Sequence, residues 1–477
     1  MKPLISNKKY YLSFVVILQL LQIKSIISFS TRSASIILST TRRTWKIKSR
    51  ITSPFPADPI IAATSIPHRG LHTLLQMSSP PGFQITPKKD IIIAGAGIIG
   101  TSTAYYLAQN HAQDVSSITI IDPSGIIAPA ASGKAGGFLA LDWNDSSPIG
   151  PLTRRSFELH SILSKDLGAS KIMYRRLTCT SISVRKDSPL SNGSLADIYK
   201  KPSGKKMQGV EWASDVNLLD ISSMESMPGQ GRIVGARSLG DESTIAQVHP
   251  KMLCDAMWEA VQGHPDINAK IVKGKVKRSM YGDDASFQGA ELEDESIVEG
   301  DSLLFACGPW TEIGNCMVGV KYHSAVIPTK EVLSQSVFYD GFGDPEVYPR
   351  PDGTAYCCGF PDPPIRVTEE PGKEEVRQEK VDEIVEAVRA VSGGVSGILG
   401  SVPDIVQSCY LPTTPDNIPM MGHVEGQDSC FVAAGHGCWG ILMGPASGEA
   451  MASLLVAGKS TKYVDLRLFR PERFSKI

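Results

Sequence analysis

Two small-residue clusters, far apart in the chain, have the spacing that chemistry needs. The first is Gly95-Ala-Gly97-Ile98-Ile99-Gly100. The second is Gly435-His436-Gly437-Cys-Trp439-Gly440, preceded by Thr414-Pro-Asp416. In the first, Gly95 permits a tight turn, Gly97 lets backbone approach a pyrophosphate, and Gly100 lets a helix pack closely on a strand. A helix starting there points unpaired N–H groups and partial positive charge at phosphates. Asp122 ends the next apolar run, where a carboxylate can accept from ribose hydroxyls. Strand, glycine loop, helix, strand and acid in this order predict a dinucleotide site, against the alternative of a plain glycine-rich turn. The loop itself does not choose between NAD and FAD. In the second cluster, Trp439-Gly440 leads towards a helical stretch at 445–455. Backbone N–H groups at that helix start could stabilise negative charge on a bound ring system. His436 is either part of that corner or a satisfied core histidine.

The elements that must position these clusters follow from the apolar pattern. Ile91 to Ala94 form the run expected of a strand buried on both faces, and Thr103, Ala104, Leu107 and Ala108 give a helical pattern after the loop. Ser132, Lys134, Ala135, Gly136 and Gly137 form a small-residue segment that lets backbone lie close to a flat ring, or else a flexible loop. Residues 151–168 predict a helix. His249-Pro250 opens another, over Met252 to Val261, with Pro in the first turn. A strand at 301–305 runs into the turn Ala306-Cys-Gly308-Pro309-Trp310. Asp352-Gly353 joins two short strands as a hairpin. Lys373 to Val391 predicts an amphipathic helix with Val376, Val381, Ile384, Val385 and Val388 on one side. Residues 185–210 are polar and predict a surface insertion.

Helices and strands alternate early and late, and hairpins fill the middle. The expected fold is therefore α/β, a doubly wound nucleotide domain interleaved with a mostly antiparallel or mixed-sheet α+β substrate domain. The expected nucleotide parts are 86–150, 236–320 and 401–477, and the expected substrate parts are 151–235 and 321–400.

The 477 residues exceed the usual share of one domain, and the net charge of −1 gives no electrostatic case for nucleic acid. The first 85 residues are unlike the rest. From Met1 to Lys89 the one acid is Asp58, while basic residues recur throughout. Lys2, Lys8 and Lys9 precede an apolar run at 11–23, followed by small residues and then an acid-free Ser/Thr/Arg/Lys segment. This layout predicts a signal-plus-transit leader and organellar delivery, to a plastid if the source is an alga with complex plastids; a mitochondrial presequence or a cytoplasmic protein starting at Met77 is the alternative. The apolar run is too short and polar for a confident membrane span, so none is expected in the mature chain. The nine cysteines show no metal spacing, and no metal site is expected.

From about residue 89 to 460 the chain resembles the superfamily of D-amino-acid oxidase, glycine oxidase and sarcosine oxidase, with six elements in the family's order. These are the Gly95/Gly97/Gly100 loop with Asp122, the Ser132–Gly137 segment, His249-Pro250, Ala306–Trp310, the hairpin from Pro351 through Tyr356 to Gly359, and Thr414-Pro-Asp416 with Gly435-His436-Gly437. Ser132 to Ala140 is similar to a eukaryotic branch of uncharacterised oxidoreductases. The resemblance implies FAD as cofactor, a Rossmann-type FAD-binding domain and a small-molecule substrate under a second sheet. Cys409, seven residues before Asp416, stands where sarcosine and pipecolate oxidases carry a flavin-linked cysteine. It is a candidate for a covalent link to FAD, or else a buried structural thiol.

Three positions depart from that pattern: Leu411 replaces an Arg, Trp439 a Lys and Cys358 a Tyr. Arg350, Lys330 and Arg366 remain as candidate cations for a substrate carboxylate, with solvated surface charge as the alternative. Tyr356, Arg350, His436 and Lys330 are the candidate catalytic residues. The expected activity is oxidation of a C–N bond of an amine or amino-acid-like substrate, by hydride transfer to flavin N5 with oxygen as acceptor. The alternatives are a dehydrogenase using a quinone or another non-oxygen acceptor, and a flavin-binding regulatory protein without catalysis.

Overall fold

The computed structural model describes residues 87–186, 231–341, 343–392 and 397–474. The predicted leader and the polar segment from 187 onward lie outside the described residues. In chain order the strands used below are β1 (Lys89–Ala94), β2 (Val115–Asp122), β3 (Thr178–Lys186), β4 (Gly231–Gly240), β5 (Asn268–Lys273), β6 (Ser302–Phe305), β7 (Val318–Pro328), β8 (Gln335–Asp340), β9 (Glu346–Pro349), β10 (Thr354–Gly359), β11 (Ile405–Thr413), β12 (Met420–His423) and β13 (Cys430–Ala434). The longer helices are α1 (Ile98–His111), α2 (Gly150–Asp166), α3 (Pro250–Gln262), α4 (Gln378–Val391) and α5 (Gly440–Ala457).

One sheet runs β12-β13-β6-β1-β2-β5, with every pair parallel except β12–β13. Both faces of β1 are buried. Ile91 and Ile93 pack in the core that contains α1, α3 and α5, while Ile92 and Ala94 pack against the small antiparallel sheet that carries Ala290 and Leu292. This is why β1 is an unbroken apolar run rather than an alternating one.

The second sheet runs β11-β7-β10-β9-β8-β3-β4 and is antiparallel except for the β8–β3 pair. Side chains alternate across it. Ala325, Ile327, Val337, Tyr339, Val347, Ala355 and Cys357 form one face, closed by Val381, Ile384, Val385, Val388 and Val391 of α4. Residues one step along each strand, among them Tyr322, Tyr348, Tyr356 and Cys358, form the other face.

Two helix boundaries differ from expectation. α4 begins at Gln378, not Lys373, because the residues before it are used as a strap: the Arg377 N–H donates to His323 Nε2 at 3.1 Å, and Glu374 pairs with Lys134. Val376 is consequently exposed. α5 runs through Pro445 instead of starting there. A proline cannot donate to the carbonyl four residues back. That carbonyl, Ile441 O, is instead met at 2.9 Å by Nε2 of the fully buried His160, and the Ala446 N–H donates to Ser156 Oγ at 3.0 Å. Burial lowers the His160 pKa to about 4, so the ring serves as a neutral N–H donor. α2 thereby repairs α5. His160→Leu is expected to cost about 1–3 kcal/mol by stranding the carbonyl, and adding Pro445→Ala to that variant is expected to recover part of the loss, both read from urea midpoints. α5 has the length and apolarity of a membrane span, but 78% of its window is buried in this fold.

Candidate active site

Three loops leave the same edge of the parallel sheet: 95–97 after β1, 306–308 after β6 and 435–437 after β13. Ligands in open α/β sheets bind at such carboxyl ends. Between the loops lies a cavity of about 410 Å³, lined by Gly95, Gly97, Ile98, Ile99, Asp122, Ser132, Ala135, Ala306, Gly308, Trp310, Gly435, His436, Gly437 and Gly440 among others.

The first loop is built by close approach. Gly95 has φ +110°, and a Cβ on it would lie 2.3 Å from Ala306 O. A Cβ on Gly100 would lie 2.1 Å from Gly95 O, which keeps α1 tight against its loop. Asp122 braces the turn: Oδ2 accepts from the Ala96 N–H at 3.1 Å and Oδ1 from the Ser124 N–H at 2.9 Å. Ionised carboxylates have about four acceptor sites, so the cavity-lining Asp122 keeps capacity for a ribose. Ser132 Oγ accepts from the Ile98 N–H at 2.9 Å and so caps the start of α1 beside the cavity. At the other end the first N–H groups of α5 belong to Gly440 and Ile441, both lining residues. Glycine-cradled backbone at one end and a helix start at the other fit a dinucleotide with a ring system at the α5 end.

A second chamber, of about 90 Å³, adjoins the first. Ala135, Leu411, Cys438 and Ile441 line both. Its floor is the second sheet's free face, with Glu346 and Tyr348 from β9 beside Tyr356 and Cys358 from β10. Tyr348 and Tyr356 stack at 5.8 Å and 3°, and Phe138 stacks on Tyr348 at 5.4 Å and 14°. Trp143 meets Trp439 edge-on at 6.0 Å. A Cβ on Gly136 would sit 2.0 Å from Tyr348 Cδ2, so only glycine admits the stack there.

Glu346 is the one charged residue lining this chamber among the described residues. The Tyr348 hydroxyl donates to its Oε2, and Cys358 Sγ lies 3.7 Å from the same oxygen. Burial pushes its carboxyl up to about 6, against the lowering effect of those two donors. The other titratable groups facing it are Asp344 in the preceding turn, Tyr322 of β7, Cys179 of β3 and Cys438 before α5.

The structure divides the residues singled out in the sequence. Gly136, Gly137, Tyr356, Cys409 and Trp439 line the small chamber, not the large cavity. The departures Leu411, Trp439 and Cys358 all converge on that chamber. His436 lines the large cavity, but its Nε2 lies 3.0 Å from Ser447 Oγ and burial lowers its pKa to about 3; it is a neutral, satisfied core histidine and not a titrating acid–base.

Other charged candidates are turned elsewhere. Lys134 pairs with Glu374 and donates to Ser408 O at 3.1 Å. Asp416 holds its own turn and pairs with Arg473 at 2.8 Å. Arg350 is buried, with Nη2 3.5 Å from Ala135 O and its guanidinium 5.7 Å from the Tyr356 ring. Arg366 bonds Asn315, and Lys330 is exposed after β7. None of these five lines either cavity. Sequence reasoning missed Glu346, Phe138, Trp143, Phe338, Tyr322 and Tyr348. The signal available was the period-two alternation Glu346/Tyr348 ahead of the predicted hairpin.

Fold and site together define a dinucleotide-binding protein built on two large sheets, with a second, aromatic chamber against the ring end of the cofactor cavity. A profile described as "FAD dependent oxidoreductase" matches residues 90–454, and the chain belongs to that family. FAD is accordingly its cofactor. A Schizosaccharomyces pombe protein named as an oxidoreductase is 30% identical over 414 residues, covering 80% of this chain and 98% of its own. Glycine oxidase of Bacillus licheniformis is 25% identical over 405 residues, covering 80% of this chain and 97% of its own. The crystal structure of L-proline dehydrogenase from P. horikoshii shares the fold, with TM-score 0.59 at 19% identity over 82% of this chain and 98% of that one.

Proposed function

We propose that this protein oxidises a C–N bond of an amine or amino-acid-like small molecule, with oxygen as the final acceptor. The observation that carries this reading is the adjoining pair of cavities, which share Ala135, Leu411, Cys438 and Ile441. When bound, FAD supplies at N5 a two-electron acceptor for hydride from the carbon next to nitrogen, and oxygen restores it. The chain's own residues orient the substrate and exclude water. Phe138, Tyr348 and Tyr356 pack the floor into an aromatic wall. The first N–H groups of α5 favour negative charge at its end of the cavity. Glu346 stands ready to hold the proton that leaves the nitrogen, because burial pushes its carboxyl up to about 6.

Mixing the FAD-loaded protein anaerobically with primary and secondary amines and amino acids is expected to bleach the flavin absorbance, and air is expected to restore it with release of peroxide. Bleaching by none of them would overturn the reading. Recovery with a quinone but not with oxygen would replace the acceptor alone.

The flavin is expected to leave the protein entirely on acid precipitation. Cys409 lines the small chamber, and burial pushes its thiol up to about 12, so it lacks the thiolate that a link to the ring would use. Colour retained in the pellet, and lost in Cys409→Ser, would establish the tether instead.

A further inference from the structure

The small chamber has a charge inventory that the proposed activity does not require. Its one charged group among the described residues is a carboxylate, and no Lys, Arg or His lines it. The walls around that carboxylate are ring faces and edges: Phe138, Tyr348 and Tyr356 from below, with Trp143 and Trp439 beside them.

We infer that the substrate is a small aliphatic amine without a carboxylate, held as its cation by Glu346 among these aromatic rings. The inference rests on the amine-oxidation reading above and names the substrate class of that site. Three arguments support it. A cation gains a counter-ion in Glu346, and an aromatic lining tolerates a cation better than an aliphatic one. A zwitterionic amino acid would bring a second carboxylate beside Glu346 with no lining cation to offset the repulsion. The chamber is much the smaller of the two spaces, about 90 Å³ against about 410 Å³ for the cofactor cavity, which suits a small ligand. The Tyr348 hydroxyl fixes one Glu346 oxygen, so the carboxylate is pre-oriented before the ligand arrives.

The test uses the full-length, FAD-loaded protein under anaerobic conditions. Binding is read by calorimetry and flavin reduction by absorbance. Three probes are compared: propylamine, its α-carboxylated counterpart 2-aminobutyrate in both enantiomers, and the neutral isostere 1-propanol. Propylamine is expected to bind at least tenfold tighter than either of the others. Its affinity is expected to fall as the pH drops through about 6, where Glu346 takes up a proton while the amine stays charged. Glu346→Gln is expected to lose at least tenfold for propylamine, to flatten that pH dependence and to keep its FAD.

The inference is overturned if 2-aminobutyrate or 1-propanol binds as tightly as propylamine, if none of the three binds, or if the preference survives Glu346→Gln. The ligand comparison on the unmutated protein decides the matter should the variant fail to fold. Bleaching by amino acids but not by propylamine would sink this inference and leave amine oxidation standing. Selective propylamine binding with no bleaching by any amine would support the recognition and sink the oxidation.

Discussion

Gly95→Ala is expected to purify without FAD. The substitution meets two obstacles at one point. The backbone at φ +110° is one that side chains rarely adopt, and the new Cβ would stand 2.3 Å from Ala306 O. Ala306 is backbone of the neighbouring strand's loop, held by its N–H to Ala94 O at 2.7 Å, so it has nowhere to retreat. Relief requires the two loops to part, and they are two of the three that flank the cavity. A strain of about 3 kcal/mol, within the range of steric and backbone defects, is roughly a hundredfold in affinity. Gly97→Ala separates the causes: its Cβ would meet no protein group but the Ser132 side chain, with Oγ at 3.0 Å, so flavin lost there reports on room for the pyrophosphate and not on parted loops. The ratio of visible to protein absorbance after gel filtration measures both. Gly95→Ala protein with full flavin content would show that the loop is not the clamp described above.

Lys134→Met is expected to be the most destabilising single change outside the apolar core. Lys134 belongs to the small-residue segment expected beside the flavin, but it pairs with Glu374, whose side chain is completely inaccessible. Removing one member of a buried pair costs about 3–5 kcal/mol, because the other charge stays behind in a poor solvent. The loss is expected to appear as a lowered urea midpoint with unchanged slope. The double variant Lys134→Met with Glu374→Met is expected to recover most of it, since two apolar groups leave no stranded charge. A Lys134→Met protein as stable as the parent would mean that Glu374 finds another partner or a proton.

These two residues show what the sequence could and could not convey. The Gly95 loop is legible because its parts are consecutive: strand, turn and helix follow one another, and each glycine has a local steric task. The partner of Lys134 is not legible, since Glu374 lies in a strap whose position depends on the second sheet. Asp416 is the same case, read as a cofactor contact but engaged by Arg473 from the chain's end. Tyr356 was found through the hairpin signal. Glu346, opposite Cys358 in the register, was not, because a lone acid before a turn is usually solvated and only long-range pairing of β7, β8, β9 and β10 decides which face is covered. The predicted start of α5 at Pro445 failed for a related reason: the rule about proline is sound, and a histidine from another helix sets it aside.

The second sheet assigns neighbouring residues to different selective pressures. Along β9 and β10, Val347, Ala355 and Cys357 face α4, while Glu346, Tyr348, Tyr356 and Cys358 face the chamber. Lineages built on this scaffold can therefore vary the chamber side while the seat of α4 is kept, and an engineer wishing to redirect recognition has positions on these strands that do not touch that seat.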